Sequence, residues 1–190
     1  MDFLPLEINN KKVYAGFWKR FGAGVVDMLV MLPFMYLTYL LEGLSLVVAM
    51  GAVVISSSLY SAYSLFFHYK YGATLGKMAT GIKVTLPDGK RIGIREALLR
   101  SSVDICFAVL LLTAQMTALS IADFPMLSTL GFTERSEYLL SIYPSWYAKV
   151  DIASLVWVFS ELFVLLLNKR KRALHDFIAG TVVINKDYSS

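Results

Sequence analysis

From Gly43 to Phe67 the chain carries no charged residue. A helix needs about 20 consecutive apolar residues to cross the hydrocarbon core of a bilayer, so this stretch is long enough to span one. Three further stretches are broken by one charge each: Phe21 to Leu41 by Asp27, Val103 to Ala122 by Asp104, and Ile152 to Asn168 by Glu161. With 57% of its 190 residues hydrophobic and only 17% charged, the composition is that of a membrane protein, not of a soluble domain. The sequence therefore predicts an all-α membrane protein. Its 190 residues are expected to form one domain with four transmembrane helices over about 17–41, 43–68, 96–122 and 151–168.

The basic residues give an expected orientation. Of the 18 Lys and Arg, only Arg135 and Lys149 fall in segments on the far side of the first helix; the rest lie in the N-terminal arm, the segment joining helices two and three, and the C-terminal tail. By the positive-inside rule both termini are expected in the cytoplasm of a multi-pass cell-membrane protein. The first helix is expected to act as its own insertion signal, since no short apolar core precedes a cleavage site. The net charge of +4 is explained by topology and anionic headgroups, with no nucleic-acid partner.

Between helices two and three, "IKVTL" and "RIGI" flank Asp88-Gly89. Glycine accepts positive φ, so this pattern predicts a small cytoplasmic β-hairpin over about 82–94. "TVVIN", residues 181–185, is a further strand-like run that could pair with it. The segment 123–150 carries six aromatic side chains, Phe124, Phe132, Tyr138, Tyr143, Trp146 and Tyr147. It is expected to lie partly helical at the outer membrane interface.

Charges inside a bilayer are costly and face the protein interior. Arg20 and Asp27, seven residues apart, share one helix face but stand about 10 Å apart along it, so Asp27 is expected to find its partner on another segment. Arg100 or the His175-Asp176 turn are the candidates. Arg100 and Asp104 are one turn apart and could pair directly. Glu161 lies at a depth like that of Asp27. The basic run Lys169–Arg172 marks the exit of the last helix. A fold-back there would let His175 and Asp176 cap a cluster of Arg20, Asp27, Arg100, Asp104 and Glu161, all in the cytoplasmic half. Such a cluster is either an ion, proton or solute site or a buried ion-pair network that fixes helix packing. His68, at the base of the second helix, is expected at the interface.

Three stretches carry a family resemblance: "FWKRFGAGVVDMLV", "GATLGKMATGIKVTLPDGKRIGIREALLRSSVD" and "RALHDFIAGTVVI". In their order and spacing they resemble the RDD family, membrane proteins named for an arginine and two aspartates. The resemblance places those residues at Arg20, Asp27 and Asp176. It implies transport, with cation/proton exchange as one form.

No nucleophile elbow, phosphate loop or Cys/His metal spacing is present, so no enzyme activity, cofactor or metal is expected. The expected function is transport of ions or small solutes through the charged cluster, with cations or protons as cargo. The four helices barely enclose a pore, which points to a homo-oligomer in the lipid bilayer. The alternative is a non-transporting membrane subunit or scaffold that binds a protein partner.

Overall fold

The computed structural model describes residues 3–188; residues 1, 2, 189 and 190 of the expected single domain lie outside them. In chain order the elements are β1 (Glu7–Ile8), β2 (Lys11–Lys12), α1 (Phe17–Glu42), α2 (Leu46–Tyr71), α3 (Leu75–Ala79), β3 (Ile82–Thr85) and α4 (Ile94–Ile121). They are followed by α5 (Phe124–Thr129), α6 (Phe132–Ser141), α7 (Tyr147–Leu167), α8 (Leu174–Ile178), β4 (Val182–Asn185) and a 3₁₀ turn at Lys186–Tyr188.

Four helices, α1, α2, α4 and α7, are long and apolar enough to cross a membrane, and they correspond to the four expected spans. Their outward side chains are large and apolar. Trp18, Val47, Phe163 and Leu167 are all more than 60% exposed, at 78, 80, 64 and 70%, a surface suited to lipid and not to water. Residue contacts divide the chain into two compact units, each taking a length of every long helix.

The first unit comprises the described parts of Met1–Val30, Ala62–Val103 and Val156–Ser190. Its centre is a small sheet. β3 pairs antiparallel with β4, Ile82 opposite Asn185 and Thr85 opposite Val182. The segment around Tyr14 adds along the other edge of β4, through Ala15 N–H to Val183 O at 2.9 Å and Asn185 N–H to Val13 O at 2.9 Å. Val13, Val84, Val182, Val183 and Ile184 are 0% exposed, which is why these runs read as unbroken apolar strands. The expected 82–94 hairpin needs correction. Its turn forms, with Gly89 at φ 88° and Leu86 N–H bonded to Lys90 O at 2.8 Å. "RIGI", however, contributes only an isolated bridge, Thr85 to Arg91, on the edge of β3 away from β4, because Val84 N–H on that edge already goes to Gly72 O at 2.7 Å and α4 starts at Ile94. "TVVIN" is the true strand partner.

α3 and α8 are both five-residue helices that lead into these strands through a left-handed glycine, Gly81 (φ 67°) and Gly180 (φ 66°). Each thus hangs from one strand of the sheet.

The second unit, Met31–Ser61 and Asp104–Leu155, packs Ala49, Val53, Leu119 and Leu127 against Phe124, Tyr138 and Leu139. The 123–150 segment is partly helical as expected, forming α5 and α6. Asp123 caps α5 by accepting from Met126 N–H at 3.2 Å. Arg135 of α6 is buried; it donates to Tyr39 O at 3.2 Å and lies over the Tyr39 ring at 4.8 Å. It thereby supplies a cation to the carbonyl end of α1, where the helix dipole favours one.

Candidate functional site

The fold-back after α7 forms at Asn168. Its side-chain oxygen accepts from Arg170 N–H at 2.8 Å, its carbonyl from Lys171 N–H at 3.0 Å, and Lys171 takes a left-handed backbone (φ 51°). That conformation costs a non-glycine residue roughly 1–2 kcal/mol. It is offset by the use made of the Lys171 carbonyl, which accepts from Arg20 Nη2.

The turn delivers Asp176 into the first unit, where it is 0% exposed. Its Oδ2 accepts from Arg20 Nη1 at 2.8 Å and from Ala173 N–H at 3.0 Å, the latter capping α8. Its Oδ1 accepts from Arg100 Nη1 and from Thr181 Oγ1 at 3.3 Å. Burial by itself would raise this carboxyl; Arg100 and then Arg20 overcome it and hold Asp176 well below the usual carboxylate range. Arg172 fastens the same turn through Thr181 O at 3.0 Å and Asp176 O at 2.9 Å.

The other guanidinium nitrogen of Arg100 donates to His175 Nε2 at 2.5 Å. Arginine has no acceptor, so His175 must present a lone pair at Nε2 and carry its proton on Nδ1. That Nδ1–H points at Glu161 Oε1, 2.5 Å away, and His175 N–H reaches the same oxygen at 3.1 Å. His175 is therefore neutral, in keeping with burial and Arg100 lowering its pKa. Both hydrogen bonds of Glu161 fall on Oε1, leaving Oε2 without one among the described residues. Glu161, Arg20 and His175 line a cleft of about 220 Å³ whose other walls include Phe17, Phe21, Val158 and Leu162.

Asp27 is 5% exposed and faces inward, as its cost in a bilayer requires, but neither expected partner holds it. Its Oδ1 accepts from Tyr63 OH at 2.6 Å and Gly76 N–H at 2.8 Å, and its Oδ2 from Thr74 Oγ1 at 2.7 Å. Arg100 and the His175-Asp176 turn are engaged with each other instead. The reason is the α2–α3 loop, which carries its own donors to Asp27. Gly76 makes this approach possible: a Cβ there would overlap the Ala23 carbonyl and stand 2.8 Å from Asp27 Cγ.

Asp104 also departs from expectation. Arg100, one turn before it, binds Asp176, Thr181 and His175. Asp104 lies in the second unit on an exposed face of α4. Of the seven expected site residues, the first unit thus holds Arg20, Asp27, Arg100, Glu161, His175 and Asp176. Five of them form one hydrogen-bonded chain from Arg20 through Asp176, Arg100 and His175 to Glu161.

Two polar groups of α2 differ from the sequence reading: His68 was expected at the interface and Tyr63 was not singled out as a carboxylate partner. His68 is buried instead, 3% exposed, with Nε2 2.8 Å from Lys77 Nζ. Tyr63, on the same helix, holds both Asp27 and the N–H of Leu75. The "TLGK" run was the available signal, since it places Thr74, Gly76 and Lys77 together. No group of three or more potential metal-ligating side chains occurs among the described residues.

No curated protein and no solved structure matches the chain. The family model for the RDD family matches residues 14–180, a range that contains all of the cluster just described, and the chain belongs to the RDD family.

Proposed function

We propose that this protein sits in the cell membrane with both termini cytoplasmic and exchanges cations or small solutes for protons through the cluster that ends at Glu161. The observation that carries this reading is the state of Glu161. It is a carboxylate within an apolar span, in an open cleft, with one oxygen uncommitted. A carboxylate so placed offers a cation a ligand that does not first have to break an ion pair. Asp27 and Asp176 are different: every oxygen of theirs is already bound, and they serve to hold α1, α3 and α8 in place. The 123–150 segment lies on the outer face, its aromatic side chains at the interface. A homo-oligomer completes the path, since the chain from Arg20 to Glu161 lies within the first unit alone.

The chain acts here as a transporter and not as an enzyme. The test is reconstitution in liposomes with pH- and cation-sensitive dyes, comparing wild type with Glu161→Gln and Asp27→Asn. A cation gradient is expected to drive proton movement in wild type and not in Glu161→Gln. The second reading, a membrane subunit or scaffold whose charges are a structural network, draws support from the saturation of Asp176 by two arginines. It predicts no flux in any variant.

A further inference from the structure

Lys77 and His68 are two basic side chains in direct hydrogen-bond contact, 2.8 Å from Nζ to Nε2. Two cations at that distance in a buried site would repel strongly. The other ring nitrogen fixes the tautomer of the neutral ring. His68 Nδ1 stands 2.7 Å from the Ser64 carbonyl and 3.2 Å from Ser64 Oγ. A carbonyl only accepts, so Nδ1 carries a hydrogen. What remains is one proton on the line between Nε2 and Nζ.

We infer that Lys77 and His68 together form a binding site for a single exchangeable proton, a site separate from the Arg20–Asp176–Arg100 network. In the loaded state the Lys77 ammonium donates to the His68 Nε2 lone pair. On release the proton leaves Nζ for water. The neutral amine keeps an N–H, so it still donates to Nε2, and the hydrogen bond survives either way. Release therefore costs no rearrangement of the loop that binds Asp27, which lies next to Lys77 in the chain.

The surroundings set this site near neutrality. Lys77 faces Arg20 and Asp27 from α1, His68 from α2, Arg100 from α4 and Asp176 from α8, while His68 also feels His175. Burial, then Arg100 and Arg20, disfavour the ammonium, while Asp27 and Asp176 favour it; the result is a Lys77 pKa of about 7 in place of 10.5. Both histidines being neutral, the loaded unit sets Arg20, Lys77 and Arg100 against Asp27, Glu161 and Asp176, and the charges cancel. Loss of the proton leaves one negative charge, which one monovalent cation restores to zero. This last step rests on the exchange function proposed above; the proton site itself does not.

The experiment is a pH titration of protein labelled with ¹³C-lysine in detergent, with the Lys77 signal identified by its loss in Lys77→Arg. The expected result is a midpoint near pH 7 for Lys77 in place of the free-lysine value of about 10.4. A Lys77 that titrates at the free-lysine value of about 10.4 overturns the inference, whatever the flux measurements show. A second arm uses liposomes: Lys77→Met is expected to lose proton movement coupled to the cation gradient. If wild type shows no flux while Lys77 titrates near pH 7, the transport reading fails and the proton site stands. If flux is coupled to protons equally in wild type and Lys77→Met, the site's part in exchange is overturned.

Discussion

Arg20 Nη1 lies 2.8 Å from Asp176 Oδ2, although 156 residues separate the two in the chain. Arg100 binds the other oxygen of the same carboxylate. One buried anion thus joins the beginning of α1, the beginning of α4 and the turn after α7. Removing that anion leaves two buried cations with nothing between them. Breaking a buried pair in this way costs roughly 3–5 kcal/mol.

Asp176→Asn is therefore expected to lower the unfolding temperature in detergent strongly. Asp27→Asn is expected to cost less, about 1–2 kcal/mol, because the Asp27 partners are neutral donors and the amide can still accept at Oδ1 from Tyr63 and Gly76. Thermal unfolding of the two variants side by side checks the order. An Asp27→Asn protein less stable than Asp176→Asn would contradict it.

The same carboxylate sets an acid limit. Asp176 titrates well below 3.8 in the folded chain. As pH falls, the unfolded chain takes up this proton first, so the stabilisation present at neutral pH is lost progressively once pH drops through about 4. Unfolding temperature measured from pH 6 to pH 3 should fall more steeply in wild type than in Asp176→Asn. Equal slopes would remove Asp176 as the source.

Gly76→Ala is expected to disrupt the approach of α3 to α1, since its Cβ would overlap the Ala23 backbone. Gly24→Ala is the control: nothing lies within 4 Å of a Cβ at that position. Replacing a helical glycine with space around it should stabilise by about 0.5–1 kcal/mol. Opposite signs for the two substitutions, read as detergent unfolding temperatures, are the expected outcome.

The four spans were legible because length and hydrophobicity alone decide them, and Asp27 was legible as inward-facing because of its cost in lipid, whereas Asp104 lies on an exposed face of α4. The pairing was not. Spacing on one helix put Arg20 too far from Asp27 for a direct pair and suggested Arg100 near Asp104, yet both arginines bind Asp176, which no periodicity connects to them. Asp27 was misassigned for a related reason. Its partners are a tyrosine, a threonine and a backbone N–H, groups too common in sequence to stand out as ligands of a carboxylate. The hairpin was half right: Asp-Gly fixed the turn, but a two-residue turn signal cannot say that Gly72 takes the Val84 N–H on that edge, or that β4, nearly a hundred residues on, pairs with the other.

Sidedness is tested by cysteine labelling in a Cys106→Ala background, since Cys106 is exposed on α4. Ser136→Cys in α6 should react with an impermeant thiol reagent added to intact cells. Lys186→Cys should react only after lysis. The reverse pattern would invert the orientation and with it the direction of the proposed exchange.

The most direct test is ion flux through purified protein in liposomes. An imposed cation gradient should drive proton movement in wild type well above that of protein-free liposomes. Glu161→Gln, shown to be folded by its unfolding temperature, should fall to the protein-free level. Wild-type flux no greater than that of empty liposomes, or a folded Glu161→Gln that exchanges as fast as wild type, would contradict the account.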